Sequence, residues 1–395
     1  MRSLIRTNRD LRVDFFRGFA LYCIFIGHIP DHALWVMTIQ VLGPTDSTET
    51  FIFLAGYSAA LAYGRSYERF GWAYAATAVL LRVWTLYVVH IFMFVAFVAQ
   101  VSWSATRFAN PAYIDEINIG AFLDAPHIAV LDALSLRFQP AFMDILPLYI
   151  VVLVLFAAFL PLLKRPLVLV AVSGAIYLLV RVTRFNLPTA SGEWFFNPLA
   201  WQVLFMGGAA VVVMSDRTKA AIRRAGPILL PLAIGFALVG LFISAVWRIP
   251  AVYAAVPEPF AALIYTSIDK SGLHPLRLVH FLALAYLVAR IVPPGARWLT
   301  SWLALPFTLA GQHGLVVFTL GVFLSFLGRL VMQEWDATLP TQLAIAILGW
   351  AFCVAVSAFQ AWYDGVSRTP RKPGPVAPAT ASPLAGAGSP DSGSS

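Results

Sequence analysis

His28 and Glu49 have the types and spacing for proton transfer. Each lies near the outer end of an apolar run of helical length, the first rising from Asp14 and the second descending to Gly64. A helix from Asp14 to His28 rises about 21 Å, which carries the imidazole past the middle of a bilayer to the depth at which Glu49 opens the next run. An ionisable group inside a span costs about 2.5–3.5 kcal/mol on insertion scales, so each needs a partner or a task. A neutral imidazole that donates one hydrogen bond to a carboxylate is held in one tautomer, with its other nitrogen free as a general base. The pair also fits mutual satisfaction in a packed hairpin, or a proton relay in a transporter.

Arg82 opens a third apolar run from the inner side, in Leu80-Leu81-Arg82-Val83-Trp84. Its guanidinium suits the phosphates of a cytosolic cofactor, and equally suits snorkelling to lipid headgroups. Gln312 and His313 fall a third to halfway along a later run, where they line a polar cavity or bond between helices. Asp269, Lys270, His274, Arg277 and His280 form a charged cluster at an outer mouth. They pair among themselves or meet an anionic or sugar ligand.

Positioning these groups is a task for membrane helices. The chain has 395 residues, 60% hydrophobic and 12% charged, where a soluble domain is about a quarter charged. We expect an all-α polytopic membrane protein of about ten transmembrane helices, with apolar runs starting near Phe15, Thr48, Ala78, Ala141, Leu167, Leu199, Ile228, Pro275, Trp302 and Thr341. With the amino terminus inside, 19 of the 27 basic residues fall on the inner side, so both termini are expected to be cytoplasmic. The formal charge of +8 is clustered between apolar runs and forms no basic stripe, so no nucleic acid is expected as a partner. Cys23 and Cys353 both lie inside apolar runs and provide neither a disulfide framework nor a Cys-based zinc site, and no metal is expected. Pro30-Asp31-His32-Ala33 after the first run is not a small-residue cleavage pattern, so that run is expected to be retained.

The expected organisation is a basic cytoplasmic segment over 1–14, a membrane domain over 15–363 and a disordered Pro/Ala/Gly/Ser-rich cytoplasmic tail over 364–395. The outer segments Ala99 to Pro140 and Arg248 to His274 are long enough to carry their own elements. They hold Trp103, Phe108, Tyr113, Tyr253, Phe260 and Tyr265, rings suited to an interfacial belt or to stacking on sugars. No internal repeat is visible.

The motifs Arg12-Val13-Asp14-Phe15-Phe16-Arg17-Gly18, His28 and Glu49-Thr50-Phe51-Ile52-Phe53-Leu54-Ala55-Gly56-Tyr57 resemble the start of the acyltransferase type 3 superfamily. More narrowly, the chain resembles the OpgC family of osmoregulated periplasmic glucan succinyltransferases. Phe142-Met143-Asp144-Ile145-Leu146-Pro147-Leu148-Tyr149, Trp201-Gln202, Asp269-Lys270, Leu276 to Ala285 and Gly311-Gln312-His313 extend that match over roughly the first 360 residues. Glu49 stands where the superfamily usually has Asp, Ala55 where Ser is common, and Arg82 is alone where two or three arginines are usual.

The resemblance implies an O-acyltransferase of the bacterial inner membrane that moves a succinyl group from cytosolic succinyl-CoA to hydroxyls of a periplasmic glucan. His28 would be the catalytic residue with Glu49 beside it. Arg82 and Arg17 would meet the acyl-CoA, and Lys270, Arg277, His280, His313, Gln312 and Asp144 the substrate. Another surface polysaccharide or a lipid-linked sugar as acceptor, or a proton-coupled transporter, remain as alternatives.

Overall fold

The computed structural model describes residues 4–6, 10–190 and 192–368. Arg2, Arg9, Arg371, Lys372 and most of the expected tail lie outside those residues. Among the described residues sixteen α-helices form: α1 (Leu11–Gly27), α2 (Ser47–Arg107), α3 (Ala112–Ile117), α4 (Gly120–Asp124), α5 (Pro126–Leu134), α6 (Ile145–Phe159), α7 (Pro166–Thr183) and α8 (Pro198–Val213) come first. They are followed by α9 (Asp216–Arg224), α10 (Gly226–Arg248), α11 (Pro250–Ala255), α12 (Glu258–Ser267), α13 (Pro275–Ile291), α14 (Leu305–Gln312), α15 (Gly314–Glu334) and α16 (Leu339–Arg368). The strands among the described residues are β1 (Pro188–Thr189) and β2 (Gly192–Glu193), an antiparallel pair. Because α16 continues to Arg368, residues 364–368 are helical and not the start of a tail.

Local sequence sets the helix ends. The Asp10 carboxylate accepts from the Arg12 amide at 3.1 Å to start α1, and Pro30 lies just beyond its end at His28. Proline occupies the first turn of α5, α7, α8, α10, α13 and α14, where its missing N–H costs nothing. Asp46 and Glu49 form a capping box at the start of α2.

The chain is a multi-pass α-helical membrane protein. Among the described residues six helices are long and apolar enough to cross a bilayer, or seven if α8 and α9, bent by 105°, count as one span. The helices α1 and α13 have 17 residues each and follow the expected apolar runs at a shorter length. The run expected from Trp302 is not one helix, since it breaks at His313 between α14 and α15.

The 61-residue α2 is two arms joined at Gly71, whose φ of 82° and ψ of 178° are not helical. A straight helix would carry Tyr63 and Arg82 about 28 Å apart, yet both line one cavity of about 250 Å³, so the chain reverses between them. Nearby, the Trp72 indole donates to the Ala157 carbonyl at 3.0 Å, and Lys164 sits 5.0 Å from the centre of the Tyr67 ring.

Two glycine seams bring helix backbones into contact. A methyl group on Gly56 would overlap the carbonyl of Phe205, and one on Gly208 would overlap that of Phe53, locking the first arm of α2 to α8. Gly18 meets the Phe307 carbonyl and Gly311 that of Asp14 in the same reciprocal way, locking α1 to α14. Around the α2–α8 seam Trp201, Phe205, Phe156 and Ile52 are fully buried. At one end Arg6 pairs with Asp364 at 2.5 Å and Arg12 donates to the Val292 carbonyl at 3.2 Å, so residues near both termini meet.

A glycine-only conformation at the turn of α2 predicts that Gly71→Ala lowers stability by about 1–3 kcal/mol. The cost is conformational, because a methyl group there meets nothing within 4 Å. Gly174, helical with equally open surroundings, should accept Ala without loss. Thermal melts of the two variants in detergent check this, and equal melting temperatures would contradict it.

Candidate active site

Four connections close around a cavity of about 420 Å³ at the end of the molecule away from the Arg6–Asp364 pair. Residues 28–46 contribute Gln40 and Asp46, residues 108–144 contribute Phe142 and Asp144, the β1–β2 hairpin contributes Thr189 and Glu193, and the segment before α13 contributes Lys270. His28 sits at the end of α1 with its ring 4.5 Å from that of Phe142. Its Nδ1 is buried and has no hydrogen-bond partner among the described residues. An imidazole at the wall of a cavity of mixed polar and apolar lining, with the carboxylates Asp46, Asp144 and Glu193 in the same wall, is an arrangement for moving a proton.

The expected contact between His28 and Glu49 does not form. Glu49 is fully buried, and its Oε2 accepts from the Asp46 amide at 2.9 Å. Its Oε1 accepts from Nε and Nη2 of Arg277 at 2.9 and 2.6 Å. As the third residue of α2 it is drawn to the helix start by the capping box, and the guanidinium claims its other oxygen. Asp46, which sequence reasoning passed over, is the carboxylate of this group that faces the cavity. Lys270 lies 2.6 Å from Asp46 and 5.3 Å from the centre of the Phe196 ring, and Arg277 lies 3.6 Å from Asp46. Burial alone would raise the Asp46 pKa, but Lys270 and Arg277 hold the carboxyl well below the usual range. Its signal was present as Asp46-Ser47-Thr48-Glu49 ahead of an apolar run.

Of the expected substrate contacts, Lys270 and Asp144 line the cavity with His28. Arg277 does not line it, being committed to Glu49 behind the wall. His280 is fully buried, bonded through Nδ1 to the Thr45 hydroxyl at 2.7 Å and pressed against Gly240, so it packs α10 against α13. Gln312 lies near the opposite end, where its amide donates to the Arg6 carbonyl at 3.1 Å and to Asp14 at 3.0 Å. His313, at the break between α14 and α15, lines neither cavity. The aromatic residues also divide differently. Tyr113 is buried and donates to Glu334 at 2.5 Å, Trp103, Tyr253, Phe260 and Tyr265 are exposed away from the cavity, and the rings that line it are Phe142, Phe195 and Phe196.

Arg17 and Arg82 line a second cavity, of about 250 Å³, on the side of Gln312 and Arg6. Arg17 donates to the Gly311 and Leu54 carbonyls at 3.3 and 3.2 Å and to the Ser58 hydroxyl, so its fork is taken up by helix backbone. Arg82 forms no ion pair among the described residues and faces Tyr63 and Tyr149. The partition between the two cavities is thin. Ile145 faces one and Leu146 the other, as do Thr48 and Phe51 one turn apart on α2. No group of three His, Cys, Asp or Glu side chains able to hold a metal occurs among the described residues.

A family profile described as OpgC protein matches residues 9–365. No curated protein and no solved structure matches the chain.

The buried pair carries its own expectation. Arg277→Ala strands the Glu49 carboxylate in the interior and should cost about 3–5 kcal/mol, as should Glu49→Ala in the reverse sense. The double variant should lose much less than the sum of the two. Chemical denaturation in detergent provides the cycle, and additive losses would contradict the pairing.

Proposed function

The chain belongs to the OpgC family, and from that premise we propose that it is a membrane O-acyltransferase that moves a succinyl group from cytosolic succinyl-CoA to hydroxyls of a periplasmic glucan. The observation that carries this reading is the pair of neighbouring cavities, one lined by His28 and one by Arg82, with Ile145 and Thr48 on one side and Leu146 and Phe51 on the other. A transferase with a donor and an acceptor in different compartments needs such a pair. In this reading the chain crosses the inner membrane ten times, with both termini and the Arg82 cavity on the cytoplasmic side.

Arg82 meets the phosphates of the donor, and its pantetheine arm threads the partition to bring the thioester to His28. From Arg17 to His28 α1 rises about 16 Å, a distance such an arm must cover. His28 takes the proton from a sugar hydroxyl as the hydroxyl oxygen bonds to the thioester carbonyl carbon. The carbon–sulfur bond then breaks, and the imidazolium returns the proton to the departing thiolate. Base catalysis of this kind supplies about 10²–10⁴-fold. Asp46 and Asp144 share the cavity with His28 and replace Glu49 as carboxylates able to steady the imidazolium. Lys270, paired with Asp46 but partly exposed at the cavity wall, meets the free carboxylate of the succinyl group, whereas Arg277 lies behind the wall on Glu49.

In a host lacking the gene, the wild-type chain should restore glucans that bind an anion exchanger and carry succinyl-sized mass additions. His28→Ala should not, at equal membrane abundance. Restored acidity with His28→Ala would sink the base assignment, and movement of labelled glucan or donor across sealed vesicles without ester formation would favour a transporter. For the donor, Lys270→Met should lower succinyl transfer about tenfold more than acetyl transfer. Equal losses with both donors, measured by thiol release, would remove Lys270 from donor recognition.

A further inference from the structure

Beside the His28 cavity lies a polar depression of about 310 Å³ that the reaction scheme leaves unused. The two share Glu193, and the same two loops form walls of both. On the hairpin segment Thr189 and Phe196 face the first cavity, while Asn186 and Asn197 face the second. In the segment before α13 Lys270 faces the first, while Asp269 and Ser271 face the second. A chain leaving the first cavity past Glu193 therefore enters the second.

The lining has the chemistry of a neutral polyol site. Its charged side chains, Arg181, Arg184, Asp269 and Glu193, balance to zero, so it presents no net attraction to an anion or a cation. Arg181 is held against Asp269 at 2.8 Å, and Asn186 donates to the Trp194 carbonyl at 2.8 Å, which fixes planar polar groups at the wall. The Arg184 guanidinium forms no ion pair among the described residues. The Phe185 ring, 55% exposed, borders the same depression and offers an apolar face. Fixed amide and guanidinium donors beside an exposed ring match the hydroxyl edge and the C–H face of a hexose.

We propose that this depression binds a neighbouring sugar of the same neutral glucan chain whose hydroxyl sits at His28, an inference that rests on the acyl-transfer reading of the first cavity. Its consequence is length dependence: two linked subsites hold an oligosaccharide more tightly than either holds one sugar.

Binding tests this without any chemistry. Calorimetry on the full-length protein in detergent should give a dissociation constant at least about tenfold lower for a glucose hexasaccharide than for glucose. Phe185→Ala combined with Arg184→Ala should erase that advantage, so that the hexasaccharide binds no more tightly than glucose. Tyr253→Ala, at an exposed ring that borders neither cavity, should keep it. Equal affinity for the two sugars in the wild type, or an undiminished advantage in the double variant, would overturn the subsite. A wild type that shows the length advantage and forms no ester in the glucan assay would instead overturn the transferase reading and leave the subsite standing.

Discussion

Four charged side chains that meet at one place, Lys270, Asp46, Arg277 and Glu49, govern the end of the molecule that carries His28. Asp46, Glu49 and Arg277 are buried, and each ion taken from water costs several kcal/mol even after relaxation, so none of the three is tolerated alone, while Lys270 stays partly exposed at the cavity wall. Two cations answer two anions, and the anions also complement the positive end of α2. The start of α2, the start of α13 and the loop between residues 268 and 274 are thereby tied at one place. That tie sets the wall against which His28 and Asp144 stand.

The glycine seams serve the same end by different physics. Lipid gives little hydrophobic drive for helices to associate, so close backbone approach and packing must supply it. Gly56 against Phe205 and Gly208 against Phe53 hold α2 on α8, while Gly18 and Gly311 hold α1 on α14. With α1 and the first arm of α2 fixed on opposite neighbours, the space left beside them is divided lengthwise into two cavities. The partition at Ile145 and Leu146 is thin because consecutive residues of α6 face opposite chambers. A group carried on a flexible arm crosses such a partition far more readily than a whole polar substrate does.

Much of this was legible in residue order. Apolar runs located the long helices, proline and acidic residues marked their first turns, and the family motifs picked out His28, Lys270 and Asp144, all of which border one cavity. Depth arguments misled where capping intervened. Glu49 lies near the depth of His28, but the first turn of a helix recruits acidic side chains to its own amides, and a carboxylate so recruited points along the helix and not across to a neighbour. His280 and Gln312 share the polar character of the expected ligands, yet one packs against Gly240 and the other binds Arg6 and Asp14.

Sequence by itself determined that this chain belongs in a membrane and where most of its long helices lie, because hydropathy and caps are local properties. Tertiary structure alone decided which carboxylates share a cavity with His28, which cation is committed to Glu49, and that the β1–β2 hairpin stands between two cavities. Those outcomes depend on pairings such as Glu49 with Arg277, 228 residues apart. No local pattern states which of several nearby opposite charges a buried group will meet, because the choice belongs to the packing of the whole bundle.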